Sequence, residues 1–288
     1  METDTESPDL RTISSGGLDL AVWEWPGQNP PLVFAHATGF HGRAWDHIAR
    51  LFPGRRRLAL DFRGHGRSGK PEPPVPWRSF GRDAIAVAEH WDVRDAIGIG
   101  HSMGGHALVQ ALAARPRTFA AVLLVDPVIF PPEYYRAGAP DASFILRRRA
   151  RWHSPAEMLE SFRKRPPFQS WRPEALESYC AFALLPHDGG FRLACPPEIE
   201  ASIYHGSNAP EANLYAEIPT IPQPVTVLRA GLAARAGVFD LSASPTAPDL
   251  ASKFPRGRDV LLPDNNHFIP MERPELVADE IRRFLLGT

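Results

Sequence analysis

Cysteine is scarce in this chain of 288 residues, which contains only Cys180 and Cys195. Neither cysteine belongs to a C-x-x-C motif or has metal-ligand spacing to histidine, which argues against a zinc site and a disulfide scaffold. We predict two free thiols in a reducing compartment. No apolar run approaches the roughly 20 residues needed to cross a bilayer. Residues 1–9 lack the features of a secretory signal, so we expect a cytoplasmic protein without a membrane partner.

The chain also lacks an excess of charge of either sign. It has 32 lysine and arginine residues against 33 aspartate and glutamate residues, for a formal net charge of −1. A near-neutral protein offers no broad basic surface, so we expect a small-molecule substrate and no nucleic-acid partner. No dinucleotide fingerprint and no cluster of metal ligands is evident, so we predict neither a cofactor nor a metal. A monomer and a homodimer are both compatible with this composition.

Apolar runs of strand length alternate with helical patterns along most of the chain. The predicted strands are residues 19–25, 32–35, 57–61, 96–100, 120–125, 225–228 and 260–262. The predicted helices are residues 80–91, 103–114 and 275–286. This order predicts an α/β fold with a mainly parallel, doubly wound sheet and right-handed crossovers. We assign the core to residues 10–130 and 220–288, and we expect the acidic, polar residues 1–9 to be disordered.

The alternation stops at residues 131–219, a segment bounded by prolines at both ends. A capping box at residues 154–157 and helical patterns at residues 173–183 and 198–205 predict a helical insertion. At this place in the strand order, an insertion lies over the carboxyl ends of the strands, where open α/β sheets bind ligands. We therefore predict a helical lid. Its basic run at residues 147–149 is expected to be a solvated helix face.

One short stretch carries the strongest chemical signal. Residues 97–105 read I-G-I-G-H-S-M-G-G, which places a G-x-S-x-G motif after a predicted strand and before a predicted helix. Gly100 and Gly104 lack side chains, so the strand and the helix can approach closely while Ser102 lies at the tip of a strained turn. The free N–H groups at the start of the helix stabilise negative charge there. The pattern is that of a nucleophile elbow, a sharp strand-to-helix turn, and it predicts that Ser102 is a nucleophile.

A serine hydroxyl is a poor nucleophile until a base takes its proton, and His267 is the candidate base. It lies in a turn-rich loop between the last predicted strand and the last predicted helix. Loops at that edge of the sheet converge on Ser102. The position of His267 late in the chain also fits the nucleophile–acid–histidine order of one hydrolase class.

An oxyanion hole needs N–H donors aimed at the developing negative charge. We predict that one donor is the backbone N–H of Met103, directly after the nucleophile. The second is the backbone N–H of Thr38, in the loop that follows the predicted strand 32–35. His36 and His41 of the same loop are expected to be structural.

These motifs resemble those of the α/β-hydrolase superfamily, in particular lid-bearing esterases, lactonases and C–C bond hydrolases. The matching pieces are residues 36–40 (H-A-T-G-F), 61–69 (D-F-R-G-H-G-R-S-G), 100–104 (G-H-S-M-G) and 267–274 (H-F-I-P-M-E-R-P). The resemblance implies the hydrolase fold and its hydrolytic machinery, and it leaves the substrate open. One departure is Ala37, where the family commonly carries glycine. A methyl group there can narrow the oxyanion loop but does not remove the backbone donors.

Members of this family place the acid of the triad after either of two strands. Asp126 follows the strand after the elbow helix and is our first choice. The commoner placement is a few residues past a glycine after the next strand, but residues 229–235 read R-A-G-L-A-A-R and contain no acid. Asp240 follows later and is the alternative, and Asp264 is a further candidate. The acid must lie within hydrogen-bond distance of the distal nitrogen of His267.

The motifs and the resemblance together predict a serine hydrolase of a small-to-medium hydrophobic ester or lactone, acting through an acyl-enzyme. Serine at the elbow argues against epoxide hydrolase and dehalogenase chemistry, which uses aspartate there in this family. Aromatic residues favour an apolar pocket, and the predicted substrate contacts are Phe40, Tyr134, Tyr135 and Phe268. Two alternatives stay open. They are C–C bond hydrolysis of a ketone by the same triad and a non-catalytic ligand receptor on a hydrolase fold.

Overall fold

The computed structural model describes residues 7–136, 138–231 and 240–287. The strands are β1 (Asp9–Ser15), β2 (Leu18–Trp25), β3 (Gln28–Ala35), β4 (Arg55–Leu60), β5 (Ala96–His101), β6 (Phe119–Val125), β7 (Arg151–Trp152), β8 (Leu184–His187), β9 (Gly190–Leu193), β10 (Val225–Ala230) and β11 (Gly257–Leu262). The α-helices are α1 (Asp46–Ala49), α2 (Arg78–His90), α3 (Met103–Ala114), α4 (Ser143–Leu146), α5 (Pro155–Phe162), α6 (Pro173–Phe182), α7 (Pro197–His205), α8 (Ile269–Glu272) and α9 (Pro274–Leu286). Short 3₁₀ helices span Gly42–Trp45, Pro132–Arg136, Phe168–Ser170, Pro210–Ala212, Ile218–Thr220 and Leu250–Lys253.

The large sheet confirms the predicted fold class. Its eight strands follow the order β1-β2-β4-β3-β5-β6-β10-β11. β2 is antiparallel to both of its neighbours. The strands β4-β3-β5-β6-β10-β11 of this sheet are parallel to one another. β3 lies between β4 and β5, so the chain adds one strand on one side of β3 and the later strands on the other. Loops diverge at such a switch point and leave a crevice at the carboxyl ends of the strands.

Helices cover both faces of this sheet, because its parallel strands are apolar on both sides. On one face, α2 and α3 bury Phe80 and Leu108 in the same cluster as the sheet residue Val122. On the opposite face, α1 and α9 bury Ile48 and Val277. β5, which leads to the elbow, is buried along its whole length. Across the described ranges, no helix has the length and apolar character that a membrane span requires.

The first strand corrects one end of the segment, residues 1–9, that is predicted to be disordered. Residues 1–6 lie outside the described residues, but Asp9 already begins β1. β1 pairs antiparallel with β2 through a tight turn at Gly16 and Gly17, whose φ values are 56° and 82°. The prediction failed because β1 is an edge strand that exposes most of its residues and therefore needs few apolar side chains.

The inserted segment, residues 131–219, contains α5, α6 and α7 where helices are predicted. At the start of α5, Ser154 Oγ accepts the Glu157 N–H at 3.1 Å as a helix N-cap. The segment also contains a small antiparallel sheet, β7-β9-β8, which the prediction of a helical insertion did not include. Asp188 and Gly189, at φ 43° and 73°, make the two-residue hairpin turn that Asp-Gly sequences favour.

The basic run at residues 147–149 does not form the predicted solvated helix face. α4 ends before it, and its arginines diverge. Arg148 pairs with the buried Glu200 of α7, whereas Arg149 pairs with Glu157 near the surface at 2.6 Å. Consecutive side chains point to different sides of an irregular segment, so a run of like residues need not share one environment.

Candidate active site

Ser102 occupies the sharp turn between β5 and α3. Its φ of 57° and ψ of −119° lie outside the regions that a serine normally adopts, so the turn is strained. A Cβ on Gly104 would lie 2.1 Å from the Ala35 carbonyl oxygen, and a Cβ on Gly100 would lie 2.7 Å from the backbone of Gly104. The two glycines therefore allow α3 to approach β3 and β5 closely enough to hold Ser102 at the carboxyl end of the sheet.

His267 lies between Ser102 and Asp126 and bonds to both. It belongs to the loop between β11 and α8, where its Nε2 is 2.9 Å from Ser102 Oγ and its Nδ1 is 2.7 Å from Asp126 Oδ2. All three side chains belong to buried residues. When Nδ1–H donates to the carboxylate, Nε2 carries the lone pair that can accept the serine proton. The structure thus brings together the three residues that the sequence predicts as a triad.

Asp126 follows β6 in an environment that stabilises a charged carboxylate. It is fully buried, with a backbone φ of 44°. Its Oδ1 accepts the Ala230 N–H at 3.0 Å, the Ser244 hydroxyl at 2.6 Å and the Thr246 hydroxyl at 3.1 Å. These donors replace lost hydration and leave Oδ2 for the histidine. The sequence pattern did not indicate them, because they come from the end of β10 and from the loop after it, more than a hundred positions away along the chain.

The other two acids considered for the triad do not contact the imidazole. Asp240 is exposed and accepts the N–H and the hydroxyl of Ser242, at 2.8 and 2.6 Å. The Ser242 carbonyl oxygen accepts the backbone N–H of His267 at 2.8 Å, so Asp240 shapes the loop beside the base. Asp264 is also exposed. Residues 232–235 of the stretch R-A-G-L-A-A-R lie outside the described residues.

The two predicted oxyanion donors lie at the start of α3 and in the loop after β3. Met103 is the first residue of α3, where a backbone N–H has no intrahelical acceptor. The Ala37 carbonyl oxygen accepts the Phe40 N–H at 3.1 Å and lies 2.8 Å from His36 Nδ1. This carbonyl and the Thr38 N–H are opposite ends of one planar trans peptide. The two contacts therefore also fix the direction of the Thr38 N–H.

His36 and His41 act as neutral hydrogen-bonding groups in this loop. His36 Nε2 accepts the Phe62 N–H at 3.0 Å, which makes Nδ1 the donor. Burial, together with the nearby His65, lowers the pKa of His36 well below its usual value. His41 Nε2 lies 3.0 Å from the Tyr179 carbonyl oxygen, and burial lowers the pKa of His41 to about 3. Both rings therefore stay neutral around pH 7.

His101, the variable residue before the serine in the elbow motif, contacts His267, the residue that carries the imidazole base. Its Nε2 is 2.8 Å from the backbone carbonyl oxygen of His267, and the two ring centroids are 4.9 Å apart. Burial and the neighbouring His267 lower the pKa of His101 well below its usual value, so its neutral ring donates Nε2–H to that carbonyl. The motif places His101 next to the nucleophile but gives no signal for its acceptor.

Four aromatic residues, Phe40, Trp171, Tyr179 and Phe268, form what we call the aromatic wall beside the triad. Phe268 directly follows His267, and its ring centroid lies 5.3 Å from that of Trp171 and 6.2 Å from that of Phe40. Tyr179 packs on Phe40 with centroids 4.9 Å apart. The structure therefore places two of the predicted substrate contacts, Phe40 and Phe268, next to the triad, together with two aromatic residues of the inserted segment.

The other two predicted substrate contacts, Tyr134 and Tyr135, lie elsewhere. Tyr134 is 52% exposed and stacks on Phe130 with centroids 5.7 Å apart. Tyr135 is buried in the main core, where its ring contacts Phe130 and Tyr215. The structure does not bring either ring to the triad. The 3₁₀ helix Pro132–Arg136 carries both tyrosines and directs them toward Phe130.

The arrangement is suited to proton transfer and nucleophilic attack. A serine hydroxyl that contacts a neutral imidazole can lose its proton as it attacks an electrophilic carbon, and the buried carboxylate stabilises the imidazolium that forms. In the described parts of the chain, no group of three or more histidine, cysteine, aspartate or glutamate side chains is placed to hold a metal ion.

Comparison with known protein sequences yields a match over most of the chain. Residues 32–280 match the profile of a family described as the alpha/beta hydrolase family. A non-heme chloroperoxidase of Streptomyces lividans is 35% identical over 119 residues, which cover 40% of this chain and 43% of that protein. The chain spans about half the length of such curated relatives. A 2-(acetamidomethylene)succinate hydrolase of Mesorhizobium japonicum is 24% identical over 282 residues, covering 96% of this chain and 94% of that protein.

Solved structures share the fold over nearly the whole chain. A structure of E-2-(acetamidomethylene)succinate hydrolase has a TM-score of 0.78 at 22% identity and covers 96% of this chain and 99% of that chain. The enol-lactonase from Burkholderia xenovorans LB400 has a TM-score of 0.70 at 20% identity and covers 96% of this chain and 100% of that chain. At such low identity the likeness establishes the fold alone.

Proposed function

The chain belongs to the alpha/beta hydrolase family, and on that premise we propose that it is a serine hydrolase of a small-to-medium hydrophobic ester or lactone. The observation that carries the proposal is the hydrogen-bond chain from Ser102 Oγ through His267 to Asp126, at 2.9 and 2.7 Å. Nucleophilic catalysis requires this chain, whereas ligand binding does not. The geometry therefore favours an enzyme over a non-catalytic receptor.

In the first half-reaction, Ser102 Oγ attacks the substrate carbonyl carbon while His267 Nε2 takes the serine proton. Asp126 accepts the Nδ1–H of His267 and stabilises the imidazolium. The carbonyl oxygen becomes an oxyanion, which accepts hydrogen bonds from the N–H groups of Thr38 and Met103. The tetrahedral intermediate then collapses, the bond to the leaving oxygen breaks, and His267 gives its proton to that oxygen. An acyl-enzyme remains.

In the second half-reaction, water replaces the leaving alcohol beside His267. The imidazole takes a proton from this water as the water oxygen attacks the acyl carbon, and the same two N–H groups stabilise the second oxyanion. The bond to Ser102 Oγ breaks, and the serine recovers its proton from His267. The carboxylic acid product leaves, and the enzyme returns to its starting state.

The surroundings of the triad support the substrate class. The rings of the aromatic wall pack together beside the triad, with the Phe268 ring 5.7 Å from the His267 ring, and we propose that a hydrophobic group of the substrate packs against them. Trp171 and Tyr179 of this wall come from the inserted segment, so we propose that residues 131–219 act as a lid over the site. The names of the similar proteins, a succinate-derivative hydrolase and an enol-lactonase, support a carbonyl substrate.

A fluorophosphonate probe tests the proposal directly, because it reacts with an activated serine. We expect the wild-type protein to be labelled and Ser102→Ala to remain unlabelled. Ser252→Ala is the matched control, since Ser252 is an exposed serine whose hydroxyl bonds to the Asp249 carbonyl. Absence of labelling in the wild type, or equal labelling of Ser102→Ala, would refute a serine hydrolase.

A substrate comparison then separates ester cleavage from C–C bond cleavage. We expect turnover of p-nitrophenyl esters or lactones that exceeds turnover of a vinylogous diketone panel, and we expect Ser102→Ala to abolish it. The opposite ranking in a protein that the fluorophosphonate does label would identify a C–C bond hydrolase that uses the same triad.

A further inference from the structure

A partly buried ion pair of the inserted segment lies against the loop that holds Thr38. Arg148 Nη1 donates to Glu200 Oε2, and only 3% of the Glu200 side chain is exposed. A Cβ placed on Gly39 would lie 2.7 Å from Glu200 Oε1 and 3.5 Å from Arg148 Nη1. Gly39 directly follows Thr38 in the chain. Because consecutive Cα atoms are about 3.8 Å apart, the Arg148 guanidinium lies on the order of 8 Å from the Thr38 N–H, the proposed oxyanion donor.

Neighbouring groups keep Arg148 charged and hold it in place. Burial opposes its charge most strongly, but the carboxylate of Glu200 together with Tyr179 and Cys195 outweighs burial and raises the arginine pKa. The Tyr179 hydroxyl contacts the guanidinium and also lies 3.4 Å from the Gly39 carbonyl oxygen, to which it donates. Arg148 is thus a fixed positive charge beside the loop that holds Thr38.

The protein uses few of the hydrogen-bond donors of this guanidinium. A guanidinium presents five N–H donors in a planar fork. In the described ranges of the chain, Arg148 is bonded to Glu200 and Tyr179, yet 25% of its side chain remains accessible. Lys70, a second cation near Cys195 in this region, differs because its Nζ already donates to three backbone carbonyl oxygens at 2.5–3.0 Å. Of the two cations, Arg148 and Lys70, Arg148 is therefore the one that can donate further hydrogen bonds to a ligand.

We propose that Arg148 is a specificity-determining residue that binds a carboxylate carried by the substrate near its scissile carbonyl. The inference rests on the proposed hydrolase function and narrows its substrates to esters or lactones of acidic molecules. A planar guanidinium matches a carboxylate with two parallel hydrogen bonds. The aromatic wall contacts the carbon skeleton of such a substrate, while Arg148 contacts its acid group.

Calorimetry with the Ser102→Ala protein measures this binding without turnover. The probes are monomethyl glutarate and dimethyl glutarate, which differ by one carboxylate. We expect the monoester to bind at least tenfold more tightly, and we expect the added substitution Arg148→Met to remove this preference. Arg147→Met is the matched control, because it removes the charge of the exposed neighbouring arginine and should leave the preference intact.

Equal binding of the two probes, or a preference that survives Arg148→Met, would overturn the proposal. If Arg148→Met does not fold, Arg148→Lys serves instead, since it keeps the charge but loses the planar fork. The preference should then fall severalfold, and an unchanged preference would count against the proposal. A protein that fluorophosphonate does not label but that still prefers the monoester would refute the hydrolase function and leave the carboxylate site standing.

Discussion

The imidazole of His101 donates to the backbone carbonyl of His267 at 2.8 Å. His101, next to the nucleophile, thereby holds the backbone of His267, whose side chain is the proposed base. The two histidines belong to β5 and to the loop after β11, which lie far apart in the strand order. Their contact links the end of β5, directly before Ser102, to the loop after β11, and both must be held in place for Ser102 Oγ to meet Nε2 of His267.

Loss of the His101 donor should slow catalysis without weakening substrate binding. We expect His101→Phe, which keeps a ring but removes the N–H, to lower kcat at least tenfold with little change in KM, because the base is less well positioned. His101→Gln should recover most of the activity and the wild-type pH profile. His106→Phe is the control, because His106 bonds the Ala212 carbonyl away from the triad. An unchanged kcat in His101→Phe would remove His101 from the positioning machinery.

The two candidate acids should respond very differently to amide substitution. Asp126→Asn should reduce kcat about 10⁴-fold, since an amide favours the wrong histidine tautomer and cannot stabilise an imidazolium. Asp240→Asn should have a small effect, because Asp240 contacts Ser242 and not the imidazole. Steady-state kinetics on a p-nitrophenyl ester measures both. A large loss confined to Asp240→Asn would transfer the role of the acid to Asp240.

The elbow should not tolerate a side chain at Gly104. The Cβ of Gly104→Ala would lie 2.1 Å from the Ala35 carbonyl oxygen, so α3 must move away from β3. We expect a loss of about 3 kcal/mol in the free energy of unfolding, the upper end for overpacking, and a matching loss of fluorophosphonate labelling. Urea denaturation provides the measurement. Gly138→Ala, whose Cβ would have nothing within 4 Å, should behave like the wild type.

Acid should destabilise the fold through its buried histidines. Burial lowers the pKa of His106 to about 4, and that of His65 to about 3, from an ordinary value of 6.5. At a pH between the pKa in the folded protein and the ordinary pKa of 6.5, the unfolded chain binds more protons than the folded protein. The stabilisation is therefore complete above pH 6.5 and is lost as pH falls, at up to about 1.4 kcal/mol per pH unit for each histidine.

Melting temperatures at pH 7.5, 6 and 5 test this expectation. His106→Gln should reduce the acid-induced decrease in the melting temperature, because one depressed pKa is gone. His90→Gln removes an exposed histidine and should leave the decrease unchanged. If the wild type melts at the same temperature at pH 7.5 and 5, buried neutral histidines do not control its acid stability.

The approximate positions of Ser102, Asp126 and His267 could be predicted because all three follow strands of a mainly parallel sheet. The carboxyl ends of such strands meet at one edge, so Ser102 and Asp126, directly after β5 and β6, and His267, in the loop after β11, lie at the same edge of the sheet. The fold class could be predicted for a related reason, since alternating apolar runs and helical patterns favour this architecture.

Contacts between irregular segments could not be predicted in the same way. The hydroxyls of Ser244 and Thr246 reach Asp126 from a loop whose path depends on tertiary packing, and no local pattern marks them. Arg148 belongs to a basic run, and its pairing with Glu200 depends on how α7 packs. The β8–β9 hairpin is different, because Asp188 and Gly189 are a recognisable turn signal and the prediction overlooked it.

Asp126 and Ser102 depend on hydrogen bonds from residues that are synthesised long after them. The carboxylate receives hydrogen bonds from residues 230, 244 and 246, and the serine contacts a histidine at position 267. A chain emerging from the ribosome exposes its N-terminal part first. In our proposal, Ser102 therefore has no base until residue 267 has been synthesised and folded into place, so a shorter nascent chain carries an unreactive serine.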